Sequence, residues 1–229
     1  MQKMLMSSTH LKPSPIRLVI FDLDGTLVDA FPAITDSINH MMKRLGHPEQ
    51  SLRKVKRSVG WGVGSLVRTF VPEEKVEEAL SIFRGHHDKR LRRPIRLLDG
   101  VKTLLPFLKR RGCVLAIASN RPEEFCRIIL DVAGIGHYFD FVVCSDMVKR
   151  AKPYPDMVRN LLRKARVPAR QTMFVGDMTV DVACGRAAGV MTVAVSTGSC
   201  SWKELEAENP DWLVRRISLV RALLGHQKF

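Results

Sequence analysis

The 229-residue sequence predicts an α/β protein, a parallel sheet flanked by helices and interrupted by a helical insertion. Three observations carry that prediction. Short apolar runs alternate with segments of helical spacing. The first run ends near residue 22, yet the second does not begin until about residue 113. Finally, the runs close on polar residues that would meet at one edge of such a sheet, where open α/β folds bind their ligands.

The runs are RLVIFD (17–22), CVLAIAS (113–119), FDFVVCS (139–145), TMFVGD (172–177) and VMTVAVS (190–196). Between them, Phe125, Ile128, Ile129 and Val132 share one helical face, which Gly134 closes as a C-cap. Met157, Val158, Leu161 and Leu162 share another, introduced by Pro155 near the first turn. DVACGRAAG (181–189) reads as a small-residue helix lying close to the sheet. Residues 31–94 hold no convincing strand. Phe31, Ile34, Ile38, Met41 and Leu45 have helical spacing there, as do Val76, Leu80 and Phe83. The expected organisation is a loose tail over 1–15, a core built from 16–30 and 95–229, and a helical insertion over 31–94. From Ser119 to Lys152 there is room for one helix and one strand, and hence for no second insertion.

Composition narrows the class. Apolar residues at 45% and charged residues at 26% are ordinary globular usage and exclude wholesale disorder. No run is long enough to cross a bilayer. The start, MQKMLMSSTHLKPSP, lacks the apolar segment of a secretory signal and reads as a short loose tail; an organelle transit peptide is the alternative, since the stretch is basic with no acid before Asp22. Cysteines 113, 126, 144, 184 and 200 form no CxxC pair, which favours reduced, buried thiols in a cytoplasmic protein. Lys plus Arg is 37 against 23 for Asp plus Glu, a net charge of +14 that attracts anions. The basic runs are scattered and not interleaved with aromatics, so a small anionic phosphorylated metabolite is a better partner than nucleic acid.

Chemistry concentrates in FDLDGTLVD (21–29). Alternate residues of an extended chain point the same way, so Asp22 and Asp24 can converge on one space. Like charges that close require a cation, a shared proton, or both. Gly25 lets the chain turn and Thr26 can fix that turn. Ser119-Asn120 ends the second run, Lys152-Pro153 follows the third, and Gly176-Asp177 ends the fourth, with Asp181 one helical turn on.

In this order the DxDGTLVD, SN, KP and GDxxxD segments resemble the haloacid dehalogenase superfamily, specifically its phosphatase branch, over roughly residues 16–225. The resemblance implies a Rossmann-like core with residues 31–94 as a helical cap. It implies Asp22 as the nucleophile that becomes an aspartyl phosphate, and Asp24 as the acid and then base. By the same resemblance Ser119 binds a phosphoryl oxygen and Lys152 neutralises phosphate while holding Asp22. Asp177 would bind Mg²⁺ with the Asp22 carboxylate and the Asp24 carbonyl, supported by Asp181. Asp24 further favours phosphoryl transfer over dehalogenation, because a halide leaves without a proton. Met178 departs from the pattern, which often has a small polar residue there.

The Gly-rich stretch SVGWGVGS (58–65) is similar to a cap loop of phosphoglycolate phosphatases. Thr26, Asn120, Gly60, Trp61, Gly62 and Gly64 are accordingly the substrate-side candidates. The alternative for Trp61 is a place in the core of the insertion, at a turn between helices. His86 and His87 lack metal-ligand spacing and are expected on the surface, whereas Trp202 and Trp212 are expected to pack the C-terminal region. The expected activity is Mg²⁺-dependent hydrolysis of a small phosphomonoester. Its rivals are a phosphosugar mutase of the same fold and a basic nucleic-acid-binding protein with an idle phosphatase fold. Monomer and homodimer stay open.

Overall fold

The structure, a computed structural model, describes residues 15–225, so the expected tail lies outside the described residues except for Pro15. After β1 (Leu18–Phe21) and the short β2 (Val28–Asp29) come four helices: α1 (Phe31–Arg44), α2 (Leu52–Ser58), α3 (Val63–Arg68) and α4 (Val76–Leu91). The chain continues through β3 (Arg96–Leu97), α5 (Val101–Arg110), β4 (Val114–Ser119), α6 (Glu123–Val132) and β5 (Phe141–Cys144). It ends with α7 (Asp156–Ala165), β6 (Thr172–Gly176), α8 (Thr179–Ala188), β7 (Met191–Val195), α9 (Trp202–Ala207), β8 (Trp212–Val214) and α10 (Val220–Gly225).

Six strands form one parallel sheet in the order β5-β4-β1-β6-β7-β8. β1 lies at the centre because its four residues, LVIF, are apolar on both faces and fully buried. Leu18 and Ile20 point into one layer with Met157, Val158 and Leu161 of α7 and Cys184 of α8. Val19 and Phe21 point into the opposite layer with Leu104, Leu105 and Leu108 of α5. The chain order reverses at β1, with β4 on one side and β6 on the other, which opens a crevice at the carboxyl ends of these strands.

Register decides what lines that crevice. Phe21 pairs with Ile117 and with Val175. Asp22, one residue further along β1, and Ser119 and Asp177, two residues further along the neighbouring strands, therefore emerge at the same edge. The five apolar runs match five of the six strands to within a residue or two. β8 was not anticipated, since three residues, WLV, carry too little periodicity to register.

The four helices between β2 and β3 pack mainly as α1 against α4, using Phe31, Ile34, Ile38 and Met41 against Ala79, Leu80 and Phe83. Where the chain leaves and re-enters the sheet region, β2 and β3 pair antiparallel, and Arg96 bonds Asp29 at 2.9 Å. Two expectations need correction. The Gly-rich stretch is shorter than its sequence suggests: α2 runs through Ser58 and α3 begins at Val63, so Gly64 is helical. His87 is not a surface residue but fully buried, because it continues the Val76, Leu80, Phe83 stripe of α4. Among the described residues no helix is long and apolar enough to cross a membrane.

Phe21 is the largest side chain of β1 and meets Phe139 edge-on at 6.3 Å. Phe21→Ala should lower unfolding free energy by about 3–5 kcal/mol, measured by urea denaturation. A loss under about 1 kcal/mol would mean that the layer beneath the site can collapse around the cavity.

Candidate active site

Asp22 leaves β1 with its N–H donating to the Val175 carbonyl at 2.9 Å, which fixes where its side chain starts. Gly25 then turns the chain at φ +80°, and a Cβ there would lie 2.7 Å from Asp177 Oδ2 and 2.8 Å from the Gly198 Cα. Only glycine permits the turn and this close approach together. Thr26 is fully buried and donates to Asp177 Oδ1 at 2.8 Å. It orients a carboxylate rather than facing the crevice.

Lys152 is the cationic centre of the group. Its Nζ donates to Asp22 Oδ1 at 2.6 Å, Asp181 Oδ1 at 2.7 Å and the Ala118 carbonyl at 2.9 Å. An ammonium has three hydrogens, and all three are used. Asn120 fixes the segment that delivers this lysine. Its Oδ1 accepts from the Lys152 N–H at 3.0 Å, and its Nδ2 donates to the Lys152 carbonyl at 3.0 Å. The same Nδ2 donates to the Gly60 carbonyl at 2.8 Å, tying the helical insertion to the core.

Asp177 follows β6, and its Oδ2 accepts from the Ser199 N–H at 3.0 Å. The loop after β7 thus wraps over it, a contact that sequence reasoning missed although TGS (197–199) signals a turn. Asp181 sits in the first turn of α8 and accepts from the Met178 N–H at 3.0 Å, which caps the helix and aims its other oxygen at Lys152.

Asp22, Asp177 and Asp181 bring carboxylate oxygens within 4.8 Å of one another while all three are buried. Burial pushes the Asp22 pKa up to about 7 against the pull of Lys152, and Asp181 and Asp24 add to the rise. Asp177 is likewise raised well above the carboxylate range, first by burial and then by Asp22 and Asp181. Burial would lower the Lys152 pKa, but Asp181 and Asp22 outweigh it and hold the ammonium charged. With Asp24, four buried carboxylates face two buried cations, Lys152 and Arg121. That deficit, and a donor set made of oxygen alone, fit a hard divalent cation held by Asp22, Asp177 and Asp181.

Asp24 is not one of this trio and pairs through Oδ2 with Arg121 Nε. Arg121 follows Asn120 directly and was not singled out from the sequence. The crevice is lined on the core side by Asp22, Asp24, Ser119, Asn120, Arg121 and Lys152. Gly60, Gly62, Leu66, Phe83 and His87 of the insertion cover it, and Met178 lines it next to Gly60. Of the substrate-side candidates, Asn120, Gly60 and Gly62 lie here. Trp61 does not: it is 58% exposed, belonging neither to the core of the insertion nor to the crevice wall. Thr26 and Gly64 also lie outside that wall.

Known proteins are similar to this chain in sequence and fold. The family model for haloacid dehalogenase-like hydrolases matches residues 19–195. A phosphoglycolate phosphatase of Pseudomonas savastanoi pv. phaseolicola is 34% identical over 207 residues, covering 86% of this chain and 76% of that protein. The plasmid-borne phosphoglycolate phosphatase of Cupriavidus necator is 33% identical over 216 residues, covering 92% and 94%. Among solved structures, a predicted phosphoglycolate phosphatase from Haemophilus somnus superposes with a TM-score of 0.86 at 27% identity, over 91% of this chain and 97% of that one. The sheet order, the acids at its switch point and these matches lead to one conclusion: the chain belongs to the haloacid dehalogenase-like hydrolases.

Proposed function

We propose that the chain is a Mg²⁺-dependent phosphatase that hydrolyses a small phosphomonoester of the phosphoglycolate type. The observation that carries this reading is the position of Asp22, a carboxylate beside a buried ammonium and two further carboxylates at the switch point of the sheet. In the reaction, an Asp22 oxygen attacks phosphorus and the ester oxygen departs, leaving an aspartyl phosphate. Asp24 gives its proton to the departing oxygen and then takes one from the attacking water. Lys152 offsets phosphoryl charge, and Ser119 Oγ, at the end of β4, binds a phosphoryl oxygen. Mg²⁺ held by Asp22, Asp177 and Asp181 would supply charge neutralisation that lets a dianion approach an aspartate.

Residues 31–94 act as the cap. They meet the core through Asn120 on Gly60, Lys56 on the Thr197 carbonyl at 3.2 Å, and Arg57 on Glu204 at 2.5 Å. The relatives' activity on phosphoglycolate and the small covered crevice support a short leaving group. Five free thiols, four of them buried, suit a reducing cytoplasmic setting.

Asp22→Asn should abolish phosphate release while keeping the fold, since an amide cannot form the acyl phosphate. Near-normal turnover by a sample that mass spectrometry finds free of deamidation would exclude the covalent route. In a phosphate-release panel of two-carbon acid phosphates, sugar phosphates, nucleotides and pyrophosphate, phosphoglycolate should give the highest kcat/KM. A hexose phosphate at the top of the panel would overturn the substrate class, and its isomerisation without phosphate release would mark a mutase.

The raised carboxylates give a third test. An acid whose pKa climbs from 3.8 to about 7 on folding stabilises the fold fully below the lower value and loses that contribution as pH rises through the upper one. A cation held by ionised carboxylates acts in the opposite sense, because it competes with protons. Without metal, Tm should fall between about pH 5 and about pH 8, and added Mg²⁺ should raise Tm more at the higher pH. Equal increments at both would remove the carboxylate trio as the metal site.

A further inference from the structure

The pair formed by Asp24 and Arg121 is built asymmetrically. Asp24 lines the crevice; Arg121 Nε holds its Oδ2, whereas its Oδ1 is buried and has no hydrogen-bond partner among the described residues. A bond made only to stabilise the fold would satisfy both oxygens, since an unmet buried acceptor costs about 1–3 kcal/mol. Here one oxygen is clamped and the other is left unpaired, in a residue that lines the crevice.

The other arm of Arg121 leads into the insertion. Arg121 Nη1 lies 2.9 Å from His87 Nε2, on α4. A guanidinium can only donate, so Nε2 is the bare nitrogen and His87 carries its proton on Nδ1. That proton goes to Ser37 Oγ at 2.9 Å, and the Ser37 hydroxyl donates to the Ala33 carbonyl at 3.0 Å. The ring is fixed sideways as well, stacked on Phe83 at 4.8 Å and edge-on to Phe125 at 5.2 Å. Burial and the neighbouring Arg121 keep His87 neutral, with a pKa of about 2, as an acceptor must be. The direction of this chain is dictated from Arg121 outward, and His86 Nδ1 lies 3.1 Å from the same Ser37 Oγ.

We infer that Arg121 is a positioning residue for Asp24, itself aimed by His87, so that α4 of the insertion sets where the proton-transfer oxygen sits. The inference rests on the acid and base role proposed for Asp24. Arg121 lines the crevice and its backbone N–H donates to Ser119 Oγ at 3.3 Å, whereas its guanidinium bonds Asp24 and His87, so the side chain acts through Asp24. Seating the insertion and aiming the acid become one event, because the ring that orients Arg121 arrives with α4.

The test is a double-mutant cycle read on two esters, 2-phosphoglycolate and p-nitrophenyl phosphate, whose nitrophenolate departs without needing a proton. The kcat/KM value reports steps up to the aspartyl phosphate, where the acid acts. Arg121→Met should lower kcat/KM for phosphoglycolate by about 10- to 100-fold and for the nitrophenyl ester by less than about threefold. Added to Asp24→Asn, it should cost less than about threefold on either ester, because the group it positions is gone. His87→Leu should give a smaller loss with the same preference, and His87→Leu with Arg121→Met should be no worse than Arg121→Met alone. Arg121→Lys, which keeps the charge but offers one point instead of a fork, should fall between.

Equal losses on both esters, an undiminished loss in the Asp24→Asn background, or no loss at all would each overturn the inference. If Arg121→Met does not fold, His87→Leu and Arg121→Lys decide by the same ester ratio. Should Asp24→Asn itself affect both esters alike, the acid role of Asp24 falls and this inference with it. An ester-dependent Asp24→Asn beside an ester-blind Arg121→Met would sink the positioning role and leave the proposed function standing.

Discussion

Three carboxylates do not collect at one buried sheet edge without a counter-charge, and the Lys152 ammonium is the charge this structure supplies directly. Its three hydrogens are divided between Asp22, Asp181 and the Ala118 carbonyl. Removing one partner of a buried ion pair leaves the other uncompensated, at about 3–5 kcal/mol. The lysine is therefore a condition of the local fold as much as of the chemistry. It also sets the geometry of its neighbours: Asp181 caps α8 with one oxygen only because the other is held by Lys152. Asp177 lies outside this network: burial, then Asp22 and Asp181, raise its pKa, and the hydrogen bonds from Thr26 and the Ser199 N–H offset only part of that rise. A cation bound there would complete a charge balance that the protein leaves unfinished.

Much of this was legible in the sequence because the determinants are local. A strand buried between two helical layers must be apolar, so runs such as RLVIFD and TMFVGD reveal strands and the polar residues at their ends. Asp22, Ser119, Lys152, Asp177 and Asp181 were found in this way and by family resemblance, and the parallel register brings them to one edge. What escaped has its cause in tertiary contacts. The two-residue β2 and β3 exist because they face each other across the neck of the insertion, not because VD or RL favours extension. Trp61 sits in the open because the turn around it is short, with α3 already started at Val63.

His87 is the more instructive miss. Its spacing from Val76, Leu80 and Phe83 continues the buried face of α4, so periodicity alone could have moved it inside. Polarity argued for the surface, and a histidine is buried only when partners are at hand. Those partners, Ser37 and Arg121, lie 50 and 34 residues away in sequence, beyond any local pattern. Arg121 was overlooked for a similar reason. One position past Asn120 it reads as a solvated charge, and only the turn out of β4 brings it back over Asp24.

The insertion sits on the core by two kinds of contact that divide the work between them. Met178 reaches Gly60 so closely that a Cβ there would lie 2.1 Å from its Cε. Gly60 also has φ +129°, a conformation that side chains disfavour, so the loop can come down on the methionine only as glycine. This apolar pad is tolerant, because a thioether chain bends to fill what it meets. The polar contacts are not tolerant: Asn120 must meet the Gly60 carbonyl, and Arg121 must meet His87, each with a defined donor and acceptor. The Met178–Gly60 contact sets how closely the two parts approach, and the directional bonds set their alignment. Since Asn120 also holds Lys152, and Arg121 also holds Asp24, the side chains that seat the insertion are the ones that hold these two residues in place.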